Sequence, residues 1–207
     1  EPVRGYWVNL EAAWQELAAH QQYPPAVREL PGEAVSAAVL LAATLKFDGT
    51  LTFQLEGHGA VRLLVAQCTN DFRVRAVARV ENEVEFASGA AVLGGPDGFR
   101  RLVGTNGRVI VTVEASERDM RYQGIVPLNG ASLAQCLETY FASSEQLPTQ
   151  VRLASDEKRS IGMLVQRLPG EGGVEAEEGS SAEVAWADAQ RSISAVTTPE
   201  LLHLSLT

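Results

Sequence analysis

Two cysteines and three histidines are the side chains of this chain that could act as nucleophiles or bind a metal. Cys68 ends a predicted strand one residue before a turn, where exposure of the thiol is possible. Cys136 falls on the apolar stripe of a predicted helix, where a free cysteine is most often a small buried hydrophobe. His20, His58 and His203 are far apart and share no ligand spacing. We therefore predict no catalytic, cofactor-binding or metal-binding residue in the chain.

Sequence motifs of enzyme active sites are missing as well. The chain contains no Gly-x-Ser-x-Gly, no His-Glu-x-x-His and no Gly-x-x-x-x-Gly-Lys-Ser/Thr. The carboxylate pairs Glu81/Glu83 and Glu177/Glu178 lie in polar stretches, which favours solvated surface charge over acid–base chemistry. An enzyme is not predicted. A small hydrolase or transferase using Cys68 is kept as an alternative, and it would need a histidine or an acid beside the thiol.

Composition limits the partners and the location of the protein. The net charge of −9 argues against nucleic acid, because binding phosphates needs clustered Lys and Arg. The longest apolar run, Ala34–Leu45, has about half the length of a membrane-spanning helix and predicts a buried core helix. Two cysteines are too few for a disulfide scaffold and fit a reducing cytosol. We expect a cytoplasmic protein without a membrane partner, and the start at Glu1 rather than methionine predicts a fragment.

The elements that would position any surface site are organised around this apolar helix. Residues Glu33 to Leu45 are apolar nearly all round, so the helix must be covered on every side. Pro31-Gly32 predicts a break just before it, because proline inside a helix costs roughly 3 kcal/mol. A second helix opens at Ser132, where Ser132 and Gln135 have the spacing of a capping box, and runs to Phe141.

Alternating apolar and polar residues predict strands before and after these helices. Antiparallel strands with interspersed helices give an α+β domain, with mostly antiparallel sheets packed around the buried helix. The third strand of a predicted meander presents arginines outward, and residues 87–98 are interpreted as a loop. The predicted strands are Val3–Val8, Leu51–Glu56, Val61–Cys68, Phe72–Val80, Arg108–Glu114, Arg121–Leu128, Val151–Ser155 and Ser160–Leu168.

Composition changes abruptly after Pro169. The segment that follows is acidic and rich in glycine, which is typical of a flexible linker. Helical patterns resume near Ala182, and Thr197 with Glu200 has capping-box spacing. We therefore predict a core domain at 1–169 and a linker with a helical arm at 170–207. The apolar arm residues proposed to hold clients or a second copy are Val184, Trp186, Ile193, Val196, Leu201, Leu202 and Leu204.

Several stretches resemble one family closely and in the same order along the chain. The family is the bacterial thirty-three-kilodalton heat-shock protein, a redox-regulated holdase chaperone. The resemblance runs from about Val3 to Leu202. It rests on Val3–Gly5, Leu41–Gly49, Tyr122–Leu128, Tyr140–Phe141, Ser144–Thr149 and Met163–Gln166.

The resemblance implies ATP-independent binding of unfolding client proteins. In the family a C-terminal zinc module, built from a Cys-x-Cys and a Cys-x-x-Cys pair, unfolds the linker when it is oxidised. Cys68 and Cys136 do not match those cysteines, so the chain is expected to be the core and part of the linker without zinc. Glycine-rich hinges and a detached arm are compatible with a homodimer that exchanges the region after Pro169. The alternative is a constitutive interaction module with one defined partner.

Overall fold

The computed structural model describes residues 2–21, 23–81, 96–115, 120–169 and 180–204. The described elements comprise eight strands, six α-helices and one π-helix. In chain order they are β1 (Val3–Leu10), α1 (Ala12–Ala19), α2 (Pro25–Thr44), β2 (Gly49–Glu56), β3 (Val61–Thr69), β4 (Val74–Val80), α3 (Pro96–Val103), β5 (Arg108–Ala115), β6 (Met120–Pro127), α4 (Leu133–Tyr140), a π-helix (Phe141–Glu145), β7 (Thr149–Ser155), β8 (Ser160–Arg167), α5 (Ser181–Ala195) and α6 (Thr198–His203).

The strands form two sheets, and both are antiparallel, in line with the predicted mostly antiparallel sheets. The larger sheet has the order β4-β3-β2-β5-β6 and the smaller one has the order β1-β8-β7. All strand pairs of the described residues are antiparallel, and β1 pairs with β8 over its whole length, from Val3 opposite Arg167 to Leu10 opposite Ser160. The predicted α+β class is confirmed. Linker residues 170–179 lie outside the described residues, so the domain boundary at Pro169 stays a prediction.

Helix α2 lies between the two sheets and is the centre of the core. It contacts β2, β3 and β4 of the larger sheet and all three strands of the smaller one. Ala34, Ala37 and Ala38 are fully buried, and their small side chains allow both sheets to approach closely. Among the described helices, α2 included, none combines the length and the hydropathy needed to span a bilayer.

The predicted break at Pro31-Gly32 is wrong, because α2 runs unbroken from Pro25 to Thr44. Pro31 removes one helical hydrogen bond, yet the helix around it is buried from both sides and packing holds it in place. Gly32 is required here: a Cβ at this position would lie 2.0 Å from the Ser155 hydroxyl oxygen. The Ser160 hydroxyl donates to the Gly32 carbonyl at 2.6 Å and so ties the helix to β8.

The predicted helix starts were largely right. Ser132 caps α4 by accepting from the Gln135 N–H at 3.2 Å, but the Gln135 side chain accepts from the Ala131 N–H rather than from Ser132 itself. The capping box at Thr197 and Glu200 is complete. These contacts are local in sequence, which is why residue spacing alone could predict them.

Several boundaries differ from the sequence prediction. Helix α3 begins at Pro96, inside the stretch interpreted as a loop, and the rest of that stretch lies outside the described residues. Strand β4 begins at Val74, and Phe72 instead occupies a turn with φ of 60°. The helix after Ser132 continues beyond Phe141 as a π-helix that closes at Gln146 in the left-handed conformation. Each difference involves a turn or helix end that hydrophobic periodicity does not resolve.

We predict that truncating the core face of α2 destabilises the whole chain. Leu40 and Leu41 are each only 2% exposed, so Leu40→Ala or Leu41→Ala should lower the free energy of unfolding by about 2–5 kcal/mol. Val184→Ala is the control, because Val184 is 54% exposed. Denaturant unfolding measures the difference. A loss below about 1 kcal/mol at both leucines would contradict the central position of α2.

Candidate functional site

The helical arm, defined by α5 and α6, lies on the smaller sheet. Both helices contact β7 and β8, and α5 also contacts β1. One side of this sheet therefore packs on α2 and the other side packs on the arm. The arm therefore docks on a sheet of its own chain. Because α5 and α6 are short, this docking supplies the stability that isolated helices of their length lack.

The predicted arm residues divide into anchors and exposed positions. Trp186, Ile193 and Leu201 are buried, Val196 and Leu202 are half-buried, and Val184 and Leu204 are exposed. Leu201 forms a small apolar cluster with residues of β7 and β8, which is separate from the main core. The members of that cluster are Ala154, Ile161 and Leu201, with Trp7, Met163, Val196 and Leu202 packed against it.

Two polar atoms on the arm-facing side of β1 are buried without a described partner. They are the indole nitrogen of Trp7 and the side-chain oxygen of Asn9. Trp7 belongs to the apolar cluster beneath the arm. A buried polar atom without a hydrogen bond costs about 1–3 kcal/mol. No other buried side-chain nitrogen or oxygen of the described residues lacks a partner.

Four further apolar side chains are exposed outside the arm, and sequence analysis did not select them. Phe72 and Val77 lie in or beside β4, and Tyr122 and Ile125 lie on β6, each between 47% and 54% exposed. Strands β4 and β6 are the two edges of the larger sheet. Alternation in a sequence indicates which residues share a face, but strand order decides which strand lies at an edge.

Both cysteines are buried, which corrects the possible exposure of Cys68. Burial, and then the nearby Asp71 carboxylate, raises the pKa of the Cys68 thiol to about 11. Burial also raises the pKa of Cys136. A thiol with a raised pKa is a poor nucleophile at neutral pH, so the geometry does not favour a hydrolase or transferase using Cys68. No group of three or more His, Cys, Asp or Glu among the described residues could hold a metal ion.

A cavity of about 360 Å³ lies where the core meets the arm. Glu29 and Glu33 of α2, Arg152 of β7 and Thr198 of α6 are among its lining residues. Neither glutamate forms a hydrogen bond or an ion pair with a described residue. Burial, followed by repulsion from Glu29, raises the pKa of Glu33 from 4.5 to about 8. Between pH 4.5 and about 8, the folded chain therefore keeps a proton on the Glu33 carboxyl group that the unfolded chain releases.

We predict that stability declines as the pH rises towards 8. A carboxyl whose pKa is raised by folding contributes its full stability below 4.5 and loses it as the pH passes through about 8. Glu33→Gln, which resembles the protonated acid, should flatten the decline between pH 5 and pH 9. Glu16→Gln is the control, because the Glu16 side chain on α1 is exposed. Thermal unfolding across this range measures the effect, and an unchanged slope in Glu33→Gln would contradict it.

Comparisons with known proteins bear on the class of protein that has this fold and these surfaces. Residues 1–206 match the family model described as Hsp33 protein. The "33 kDa chaperonin" of Chromobacterium violaceum is 44% identical over 177 residues, which cover 85% of this chain and 56% of that protein. The "33 kDa chaperonin" of Pseudomonas aeruginosa is 40% identical over 202 residues, which cover 98% of this chain and 64% of that protein.

A solved structure agrees with the fold. The crystal structure of the 33 kDa chaperonin, an Hsp33 homolog, from Thermotoga maritima superposes with a TM-score of 0.78 at 22% identity, covering 99% of this chain and 68% of that one. The family model thus matches almost the whole chain, and this structure has the same fold. The chain belongs to the Hsp33 family. It spans 56–64% of the length of the curated relatives named above.

We predict that this chain binds no zinc and that oxidants change its activity little. The reason is that its two thiols are buried, have raised pKa values and lie in separate elements, β3 and α4. Metal analysis and a peroxide titration of aggregation-suppressing activity measure both parts. About one zinc per chain, or activity that appears only after peroxide, would contradict the prediction. Cys68→Ser and Cys136→Ser variants identify which thiol responds if one does.

Proposed function

We propose that this chain is the client-binding core of an ATP-independent holdase chaperone. Membership of the Hsp33 family supports the chaperone class. The proposal rests chiefly on the arm. Of its apolar residues, only Trp186, Ile193 and Leu201 are buried on the smaller sheet. An apolar surface that docks reversibly could bind unfolded polypeptides once it is released. In the reducing cytosol, binding of this kind would hold clients without a catalytic group.

The physical balance of arm docking supports release as part of the mechanism. Each large anchor contributes about 1.5–3 kcal/mol on burial, and the unpaired atoms of Trp7 and Asn9 each subtract about 1–3 kcal/mol. A docking energy of this kind is small enough for an outside event to reverse. In the longer relatives, oxidation of the zinc module that the resemblance implies would be that event. The same arm could instead dock on a second copy and form an exchanged homodimer.

A light-scattering assay with two unrelated clients tests the function. One client is unfolded by heat and the other is diluted from denaturant, both without ATP. A holdase should suppress aggregation of both. Suppression of neither would overturn the proposal, and suppression of one alone would favour an interaction module with a defined partner.

We predict that the arm can be removed without unfolding the core. Deletion of all residues after Pro169 should leave a cooperatively folded core, weaken aggregation suppression and weaken dimerisation, because the main core contains none of the arm residues. Circular dichroism, sedimentation and light scattering measure the three effects. A monomeric full chain whose activity survives the deletion would remove the arm from the mechanism.

Point variants distinguish an arm that is released from the sheet from an arm that has been deleted. Leu201 is 1% exposed and Leu204 is 38% exposed. Leu201→Ala should release the arm and raise activity, whereas Leu204→Ala, the matched control, should change docking little. The cost at Leu201 should approach the lower end of about 2–5 kcal/mol for buried leucines. Lower activity in Leu201→Ala than in the parent chain would indicate that clients bind the docked arm.

A further inference from the structure

The edges of the two sheets differ in how their main-chain groups are occupied. On β4 the Gln21 side chain donates to the Ala76 carbonyl at 2.5 Å, and the Tyr23 hydroxyl accepts from the Ala78 N–H at 2.7 Å. On β7 the Glu138 carboxylate accepts from the Val151 N–H at 2.8 Å. Side chains therefore cap part of these two edges, which limits pairing with another strand.

Strand β6 presents an uncapped edge. The Leu128 N–H donates to the Gly107 carbonyl at 2.9 Å, so even-numbered residues of this segment bond towards β5. Because antiparallel ladders alternate, Arg121, Gln123 and Ile125 point their N–H and C=O groups away from β5. No described residue bonds to these groups. Pro127 follows the same alternation, and its missing N–H would face outward, as expected for proline on an edge strand.

Exposed apolar side chains accompany these free main-chain groups. Ile125 is 52% exposed on one face of β6, and Tyr122 is 47% exposed on the other face. Strand β1 also has no caps from the described residues, but most of its side chains are half-buried against the core and the arm. The β6 edge is therefore the sheet edge that offers both main-chain hydrogen bonds and apolar contacts on two faces.

We propose that the β6 edge binds an extended apolar segment of an unfolded polypeptide, which adds to the larger sheet as a sixth strand. This inference rests on the proposed holdase function and adds a second binding surface to the arm. Main-chain bonds give affinity without reading sequence, and Ile125 on one face and Tyr122 on the other favour apolar side chains on both faces of the added strand. Only another extended main chain supplies the complementary row of donors and acceptors.

A second copy of the chain fits this edge less well than an unfolded segment. Antiparallel pairing of two β6 strands centred on Gly124 would set Arg121 opposite Pro127. The ladder would then lose a hydrogen bond at each such pair, because proline has no N–H. Centring the pair on Gln123 avoids this loss but limits the ladder to residues 120–126, whereas an unfolded segment can pair along the whole strand.

A labelled peptide tests the edge directly. The probe is a fluorescein-labelled octapeptide of alternating valine and threonine, and its fully N-methylated version keeps the side chains but has no N–H donors. Ile125→Lys and Gln123→Pro should weaken binding of the peptide by roughly tenfold, while the N-methylated version should fail to bind. Hydrogen exchange at the amides of Gln123 and Ile125 should slow when the peptide binds.

Matched variants control for charge and folding. Val77→Lys places the same charge at a 54% exposed position on the capped β4 edge, and it should leave peptide binding unchanged. Gln123→Ala loses the side-chain bond to Thr112, which is 3.1 Å long, but keeps the main-chain N–H and should bind the peptide normally. Circular dichroism verifies that each variant is folded, and Ile125→Lys keeps the test valid if Gln123→Pro does not fold.

The outcomes separate this proposal from the holdase proposal. Suppressed client aggregation with no amide protection on β6 and with full activity of Ile125→Lys overturns the edge site and leaves the holdase function standing. Peptide binding at β6 without suppression of aggregation supports the edge site and overturns the holdase function. Equal binding of the N-methylated peptide overturns main-chain pairing. Amide protection that grows with protein concentration alone identifies a second copy as the occupant and overturns the client proposal.

Discussion

The burial of α2 between two sheets is the constraint on which the rest of the structure depends. A helix that is apolar nearly all round needs a partner on every side, and six strands from both sheets supply it. Its buried alanines allow close approach, and Gly32 leaves room for Ser155. The Ser36 hydroxyl bonds to Ser160, which in turn donates to the Gly32 carbonyl, so the buried polar groups at this contact are paired.

The position of α2 creates the docking surface for the arm. Because α2 covers one side of the smaller sheet, the other side would be left in water without α5 and α6. The contacts on the two sides of this sheet differ in size. The α2 side belongs to the large main core, whereas on the arm side Leu201 joins a small cluster. Two unpaired buried polar atoms lie on β1, at or near that contact. This small contact is the basis of the proposal that the arm can separate from a core that stays folded.

Apolar side chains of the described surface are concentrated at a few places, whereas both thiols lie beneath it. The two thiols are buried with raised pKa values, and the exposed apolar side chains lie on the arm and at the edges of the larger sheet. Gln21 and Tyr23 on one edge, and Glu138 on the smaller sheet, occupy main-chain groups that would otherwise pair with another strand. The β6 edge is left without such caps among the described residues, and this difference distinguishes a binding edge from a protected one.

Sequence alone determined the elements whose signals are local. The alternation of β2, the cap at Thr197 and the all-round apolar pattern of α2 each depend on neighbouring residues. The unbroken helix through Pro31 could not be predicted in this way, because packing from two sheets outweighs a local cost of roughly 3 kcal/mol. Strand order was equally inaccessible, so nothing in the alternation of Tyr122 and Ile125 indicated an edge. Contacts between residues distant in sequence determine which anchors of the arm are buried and that Cys68 faces the core. Only the tertiary structure decides such contacts.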